Sequence, residues 1–209
     1  MIKIIDYGLG NIQAFVNLYK RLHIPVVVAK TAEELAGAEK IILPGVGAFD
    51  HAMARLSNSG MKDTLIDLVQ NKKVPVLGIC VGMQMLASGS DEGVLPGLGW
   101  IPGQVREFRN ISGLADIAQP HMGWNDVKPI AGCPLFKGME DNARFYFLHS
   151  FFFECADKSD SLATANYGLE FSCAVGKGNV FGVQFHPEKS HDFGMNLLKN
   201  FAEMANAEA

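Results

Sequence analysis

Two patterns of apolar positions alternate along the first eighty residues. Ile2 to Ile5 is a short apolar run ended by Asp6, Tyr7 and Gly8, and Leu9 to His23 then carries apolar groups at Ile12, Phe15, Tyr19 and Leu22, the spacing of one helix face. Pro25 stops that helix, Val26 to Ala29 is brief and β-branched, and Thr31 with Glu33 and Glu34 marks a second helix start, where carboxylates favour the positive end of the helix dipole. Lys40 to Leu43 predicts a third strand. After the glycine-rich Pro44 to Phe49, helices are expected around Ala52 to Leu56 and Leu65 to Val69, followed by a fourth strand over Val74 to Ile79. Ile41 to Leu43 and Val74 to Ile79 are continuous apolar runs, the pattern of strands buried on both faces. The prediction is an α/β fold with a central, mostly parallel sheet flanked by helices, and such sheets bind ligands at the carboxyl ends of their strands.

From Gly103 onward the pattern shortens into β-rich pieces: Gln104 to Phe108, Asn125 to Val127, Arg144 to Leu148, Phe151 to Glu154, Leu162 to Ala165, Ser172 to Val175 and Val180 to Phe185. They predict an antiparallel extension of the same sheet. Asn196 to Met204 would be a closing helix with Leu197, Leu198, Phe201 and Met204 facing inward. Ser88 to Gly99 and Asp157 to Ser161 read as loops. Trp100, Trp124 and the aromatic runs at Phe145 to Phe147 and Phe151 to Phe153 are expected to serve packing or an interface.

Composition narrows the class. With 48% hydrophobic and 19% charged residues over 209 positions, the chain has the apolar content for one sizeable core, and one domain over residues 1–209 is expected. The formal net charge of −4 offers no basic excess to neutralise phosphates, which argues against nucleic acid as a partner. No apolar run approaches the roughly 20 residues of a membrane span or the core of a signal peptide. Cys80, Cys133, Cys155 and Cys173 are widely separated, without zinc-site spacing, so free thiols in a reducing cytoplasm are expected, with no metal and no cofactor.

Two motifs carry chemistry. Val74 to Leu86 runs a β-branched strand straight into Cys80, with Gly78 and Gly82 two positions to either side. This is the glycine-x-nucleophile-x-glycine elbow with sulfur for oxygen; the glycines permit a sharp turn, and a helix start favours a thiolate. On its own, such a cysteine is equally a small core residue. The second motif is Val183 to Ser190, where a strand ends at His186, Pro187 fixes a turn, and Glu188 is placed to orient the imidazole. The alternative is a solvated loop histidine beside a helix N-terminal carboxylate. His186 and His191 do not share a metal-binding helix face. The Pro44 to Phe49 turn could aim amides at an oxyanion or simply connect strand to helix, and Gly8 and Gly10 match a phosphate loop poorly.

Together with IDYGLGN (Ile5 to Asn11), LPGVGAF (Leu43 to Phe49), GICVGMQML (Gly78 to Leu86), PHMGWN (Pro120 to Asn125), FYFLHS (Phe145 to Ser150) and QFHPEKS (Gln184 to Ser190), these motifs give the chain a resemblance to the class I (triad) glutamine amidotransferases over nearly its whole length. The resemblance implies a catalytic triad of Cys80, His186 and Glu188. It also implies an oxyanion site from the amides of Val81 and the Gly45, Val46, Gly47 turn, and glutamine contacts from Gln84, Tyr146, His149 and Ser150. Within the family the chain is most similar to separate glutaminase subunits that pass ammonia to a HisF-type (β/α)8 barrel cyclase, forming imidazole glycerol phosphate and AICAR in histidine biosynthesis. The length then implies that the synthase is a second chain. Val81 and Phe151 depart from the leucine and tyrosine common in the family, which keeps open a paralogue supplying ammonia for amidation of a bacterial surface sugar. A noncatalytic scaffold for a barrel partner and a cysteine peptidase are the rival classes. The intact triad residues argue against the first, and the glycine-rich and PHMGWN motifs against the second.

Overall fold

The computed structural model describes residues 1–205. In chain order, β1 (Ile2–Ile5) leads to α1 (Ile12–Arg21), β2 (Val26–Ala29), α2 (Ala32–Leu35), β3 (Lys40–Gly45), α3 (Phe49–Asn58), α4 (Lys62–Ile66), β4 (Val76–Cys80) and α5 (Val81–Gln84). Then follow β5 (Gly89–Ser90), β6 (Gly103–Glu107), β7 (His121–Asp126), β8 (Lys128–Pro129), β9 (Arg144–His149), β10 (Phe151–Cys155), β11 (Ser161–Tyr167), β12 (Leu169–Lys177), β13 (Val180–Val183) and α6 (His191–Glu203). The main sheet runs β2-β1-β3-β4-β13-β12-β10-β6-β5, with β11 on β12 and β8 on β11. Its first five strands are parallel, and every residue of β3 and β4 is buried, as expected for strands covered on both faces.

The alternating first half is present as read, with shifted ends. The first helix starts at Ile12 and not Leu9, because Gly8 and Gly10 take positive φ and Asn11 caps the helix by accepting from the Ala14 amide. Val74 stays out of β4 because its amide donates to Leu68, ending the preceding helical segment. The helices expected around Ala52 to Leu56 and Leu65 to Val69 are longer, the second continuing into a π-helical turn at Asp67–Asn71. In α1, Phe15 and Tyr19 are buried, and the Tyr19 hydroxyl reaches Leu198 in α6, tying the first and last helices together.

The second half corrects two expectations. β13 belongs to the parallel part, beside β4, and the antiparallel strands begin only at β12. Strands β7 and β9 do not extend the sheet; they pair with each other in a separate ribbon, from His121 opposite His149 to Asp126 opposite Arg144. Alternation is the cause. Phe145 and Phe147 are fully buried beneath the ribbon and pack on Phe185 at 3.9 and 5.6 Å between ring centroids, so the ribbon layers onto the sheet and does not lengthen its edge. Within it Trp124 is 39% and Met122 64% exposed. The closing helix starts five residues earlier than expected; Leu197, Leu198 and Phe201 are buried, but Met204 is past its end and half-buried. The Asp157 to Ser161 loop holds a 3-10 turn at Lys158–Asp160, and Ser88 to Gly99 includes the short β5.

Candidate active site

Strand β4 ends on a strained residue. Cys80 has φ 55 and ψ −114, a conformation costly for a side chain other than glycine, and α5 starts at the next position. The two flanking glycines explain how the turn packs. A Cβ on Gly78 would lie 2.5 Å from the Gly82 carbonyl oxygen, and one on Gly82 would lie 2.0 Å from that of Leu43. Both positions exclude any side chain, so the elbow is pressed against β3, where Gly45 sits opposite Cys80 in register. Cys80 is buried but lines a cavity, whereas Cys133, Cys155 and Cys173 do not reach it; all four are free thiols.

The second motif arrives from the neighbouring strand. β13 pairs with β4, so His186, three residues beyond β13, comes to the same end of the sheet as Cys80. Pro187–Lys189 forms a tight turn that folds Glu188 back, and its Oε1 is 2.8 Å from His186 Nδ1. Glu188 therefore engages the imidazole and does not cap α6. The turn is held by the Ser190 hydroxyl, which donates to the His186 carbonyl at 2.6 Å and accepts from the Tyr146 amide at 3.0 Å. Burial works against an imidazolium here, but interaction with the Cys80 sulfur and then with the Glu188 carboxylate outweighs it, and the His186 pKa is raised well above the usual imidazole range. Among the described residues His186 Nε2 has no hydrogen-bond partner of normal geometry, leaving that nitrogen free for transfer chemistry.

Cys80 and His186 share a cavity of about 310 Å³, lined also by Val46, Gly47, Val81, Gln84, Glu92, Pro120, Leu148, His149, Ser150, Phe151 and Lys189. Its size suits a small molecule. Of the residues singled out in the sequence, Gly45 lies behind the lining and Tyr146 lies outside it, with the Lys189 ammonium 5.8 Å from its ring. Glu188 does not line the cavity either and meets it through His186; the others line it, though His149 presents no free ring nitrogen: Nδ1 donates to the Phe151 carbonyl at 2.7 Å and Nε2 meets His121 Nδ1 at 2.8 Å. The Gln84 amide is likewise engaged, donating to Gln184 Oε1 at 3.0 Å.

Three contributions were not singled out as site residues in the sequence. Glu92 comes from the stretch read as loop, and its carboxylate accepts from the Phe49 amide at the start of α3 at 2.8 Å; burial raises its pKa. Gln184 brings its Nε2 to 3.9 Å from the Cys80 sulfur. Tyr7, in the glycine motif that matched a phosphate loop poorly, donates its hydroxyl to the Pro44 carbonyl at 2.7 Å and so braces the turn Val46 and Gly47 belong to. Gln184 and Tyr7 lie within the QFHPEKS and IDYGLGN motifs, whereas Glu92 had no signal. A roomier groove of about 510 Å³ beside β10 and β12 contains Cys155 but no histidine. Among the described residues no group of three or more His, Cys, Asp or Glu side chains is arranged to hold a metal ion, and no helix is long and apolar enough to cross a membrane.

Residues 3–205 match the family model described as glutamine amidotransferase class-I. The chain is 79% identical over 204 residues to a protein of Bdellovibrio bacteriovorus named imidazole glycerol phosphate synthase subunit HisH, covering 98% of this chain and all of that one. A Leptospira borgpetersenii protein of the same name is 52% identical, and a Pseudomonas aeruginosa protein named subunit HisH 2 is 48% identical, each with the same coverage. Among solved structures, one titled glutamine amidotransferase aligns with a TM-score of 0.71 at 20% identity, covering 96% of this chain and 98% of its own. A glutamine amidotransferase from Thermotoga maritima aligns at 0.62 and 17% identity, covering 97% and 82%. These two speak for the fold alone.

Proposed function

The chain belongs to the glutamine amidotransferase class-I family, and from that premise we propose that it is the glutaminase subunit of an imidazole glycerol phosphate synthase, releasing ammonia from glutamine for histidine biosynthesis. The observation that carries the chemistry is the meeting in one cavity of a strained, glycine-flanked Cys80 with a His186 whose far nitrogen is bound to Glu188. Cys80 passes its proton to His186 and its sulfur attacks the side-chain amide carbon of glutamine. His186 returns the proton to the departing nitrogen as the C–N bond breaks, leaving ammonia and a glutamyl thioester. It then takes a proton from water, whose oxygen displaces the sulfur to give glutamate. Glu188 keeps the imidazole oriented throughout.

The oxyanion formed on attack needs two donors: the Val81 amide, directly after the nucleophile, and an amide of the Gly45 to Gly47 turn. Glu92, a carboxylate at the cavity wall, suits the α-ammonium of glutamine, while Gln84, His149 and Ser150 shape the side-chain slot. The partner we assign is a HisF-type barrel cyclase in the same cytoplasm. Val46 on the cavity turn is 38% exposed, and with Met122 and Trp124 it offers apolar surface for a second chain to cover. Ammonia is lost to protonation in water, so release into a covered passage has a chemical motive. The relatives named above carry the histidine-pathway name, and nothing in the site favours surface-sugar amidation over it.

The test is glutamine hydrolysis by the chain with and without the ligand-loaded cyclase of the same organism. Hydrolysis should be slow alone and faster in the complex, and Cys80→Ser should lower it about 10⁴-fold or more while still binding the barrel. Equal rates for the variant and the wild type would end the nucleophile assignment.

A further inference from the structure

A line of neutral side chains crosses the molecule from the ribbon to the nucleophile. Its polarity is set by its ends. The Phe151 carbonyl can only accept, so His149 Nδ1 carries the proton and donates at 2.7 Å. In a neutral ring Nε2 is then an acceptor, and His121 Nδ1, 2.8 Å away, must donate to it. His121 Nε2 accepts in turn from Asn125 Nδ2 at 3.2 Å, and that amide also donates to the Asn166 carbonyl at 2.8 Å. Burial lowers the pKa of both rings, in keeping with neutral forms. At the other end the Phe151 carbonyl also accepts from Gln84 Nε2 at 3.5 Å, Gln84 bonds Gln184, and Gln184 approaches the Cys80 sulfur.

His121 is not part of the cavity lining. It is buried between the rings of Phe147 and Tyr167, stacked at 4.8 and 4.2 Å between centroids, and so has one orientation available. On the glutaminase reading of the site, we infer that His121 is a positioning residue for glutamine binding, holding His149 and through it the Phe151 segment of the cavity wall. Without its donor, His149 Nε2 becomes a buried acceptor with no partner, and the ring can relieve this only by turning away from the Phe151 carbonyl. The wall from Leu148 to Phe151 and the Gln84 amide would move with it, whereas the Cys80 elbow, held by backbone contacts, would not.

The experiment is steady-state glutamine hydrolysis by the complex with the cyclase barrel, for the wild type, His121→Phe and His121→Asn. Phenylalanine keeps the stacked shape and removes the donor; asparagine sets an amide nitrogen near the place of Nδ1. His121→Phe should raise KM for glutamine about fivefold with kcat within about twofold, and His121→Asn should restore KM to within about twofold of the wild type. An unchanged KM in His121→Phe, or an asparagine variant no better than the phenylalanine one, would overturn the inference. If His121→Phe does not fold, His121→Gln takes its place, since its amide reaches beyond the Nδ1 position; equal KM values for the glutamine and asparagine variants would then refute it. A wild-type complex that hydrolyses no glutamine would instead sink the glutaminase reading itself.

Discussion

On the Cys80 side of the cavity, backbone does the positioning: Cys80 is held at φ 55 by glycines that let β4 and α5 press against β3. On the opposite side, Leu148 to Phe151 lie in and between the paired strands β9 and β10 and are braced further by side chains, through a hydrogen-bonded line of His149, His121 and Asn125 over a layer of aromatic rings. The histidines of the two sides shift in opposite directions. His186 is pushed up by Cys80 and Glu188, while burial pushes His121 down to about 4 and His149 down to about 3. His186 thus has a carboxylate on one nitrogen and the other nitrogen open, whereas His121 and His149 are desolvated with both nitrogens occupied. Histidine content alone says nothing of role; the partners on each nitrogen decide it.

The comparison is broken most severely by removing the carboxylate that distinguishes His186 from the other two. Glu188→Gln keeps the shape of the turn but not the anion, and should lower kcat roughly 10²- to 10³-fold with little change in KM, read from glutamine turnover in the complex. A fall in KM-dependent rate alone would show that Glu188 only shapes the pocket. Next comes the backbone claim: Gly82→Ala forces a methyl group into the Leu43 carbonyl and should cost about 3 kcal/mol or more in urea unfolding.

Acid separates the two sets of histidines. Because His121 and His149 stay neutral in the fold while the unfolded chain protonates below about 6.5, they make stability fall as pH drops from about 6.5 toward 4. His186, raised in the fold, contributes fully below about 6.5 and loses its contribution only as pH rises above that. The unfolding free energy from urea titrations should therefore decline between pH 7 and 5, by on the order of 2 kcal/mol, and His121→Asn should shallow the slope. A slope unchanged in that variant would remove His121 as its source. The smallest effect expected is that of Tyr7→Phe, about 1 kcal/mol in the same assay, for the lost bond to the Pro44 carbonyl.

The alternating first half was legible because each strand and helix there buries a face set by its own residues, and the elbow because its glycines are local in sequence. Helix α1 misled at its start only where Gly8, Gly10 and Asn11 impose turn geometry on a stretch with helical spacing. The ribbon was less legible. Arg144 to Leu148 reads as a strand from its own residues, but nothing in it shows whether the buried Phe145 and Phe147 lie in the main sheet or on top of it. Glu92 had no local signature, and the PHMGWN motif gave no sign of what His121 does in it, because the groups they bond lie 43 and 28 residues distant, the Phe49 amide and the His149 ring.

Sequence by itself determined the chemistry on offer at Cys80, His186 and Glu188, since strand-end placement, flanking glycines and a two-residue offset are all short-range features. Tertiary structure alone decided that β13 lies parallel beside β4, which brings the histidine to the cysteine, and that the ribbon packs over Phe185 to close the far wall. The physical reason is range. Backbone conformation answers to neighbours along the chain, whereas burial, stacking and the assignment of protons to ring nitrogens answer to neighbours in space.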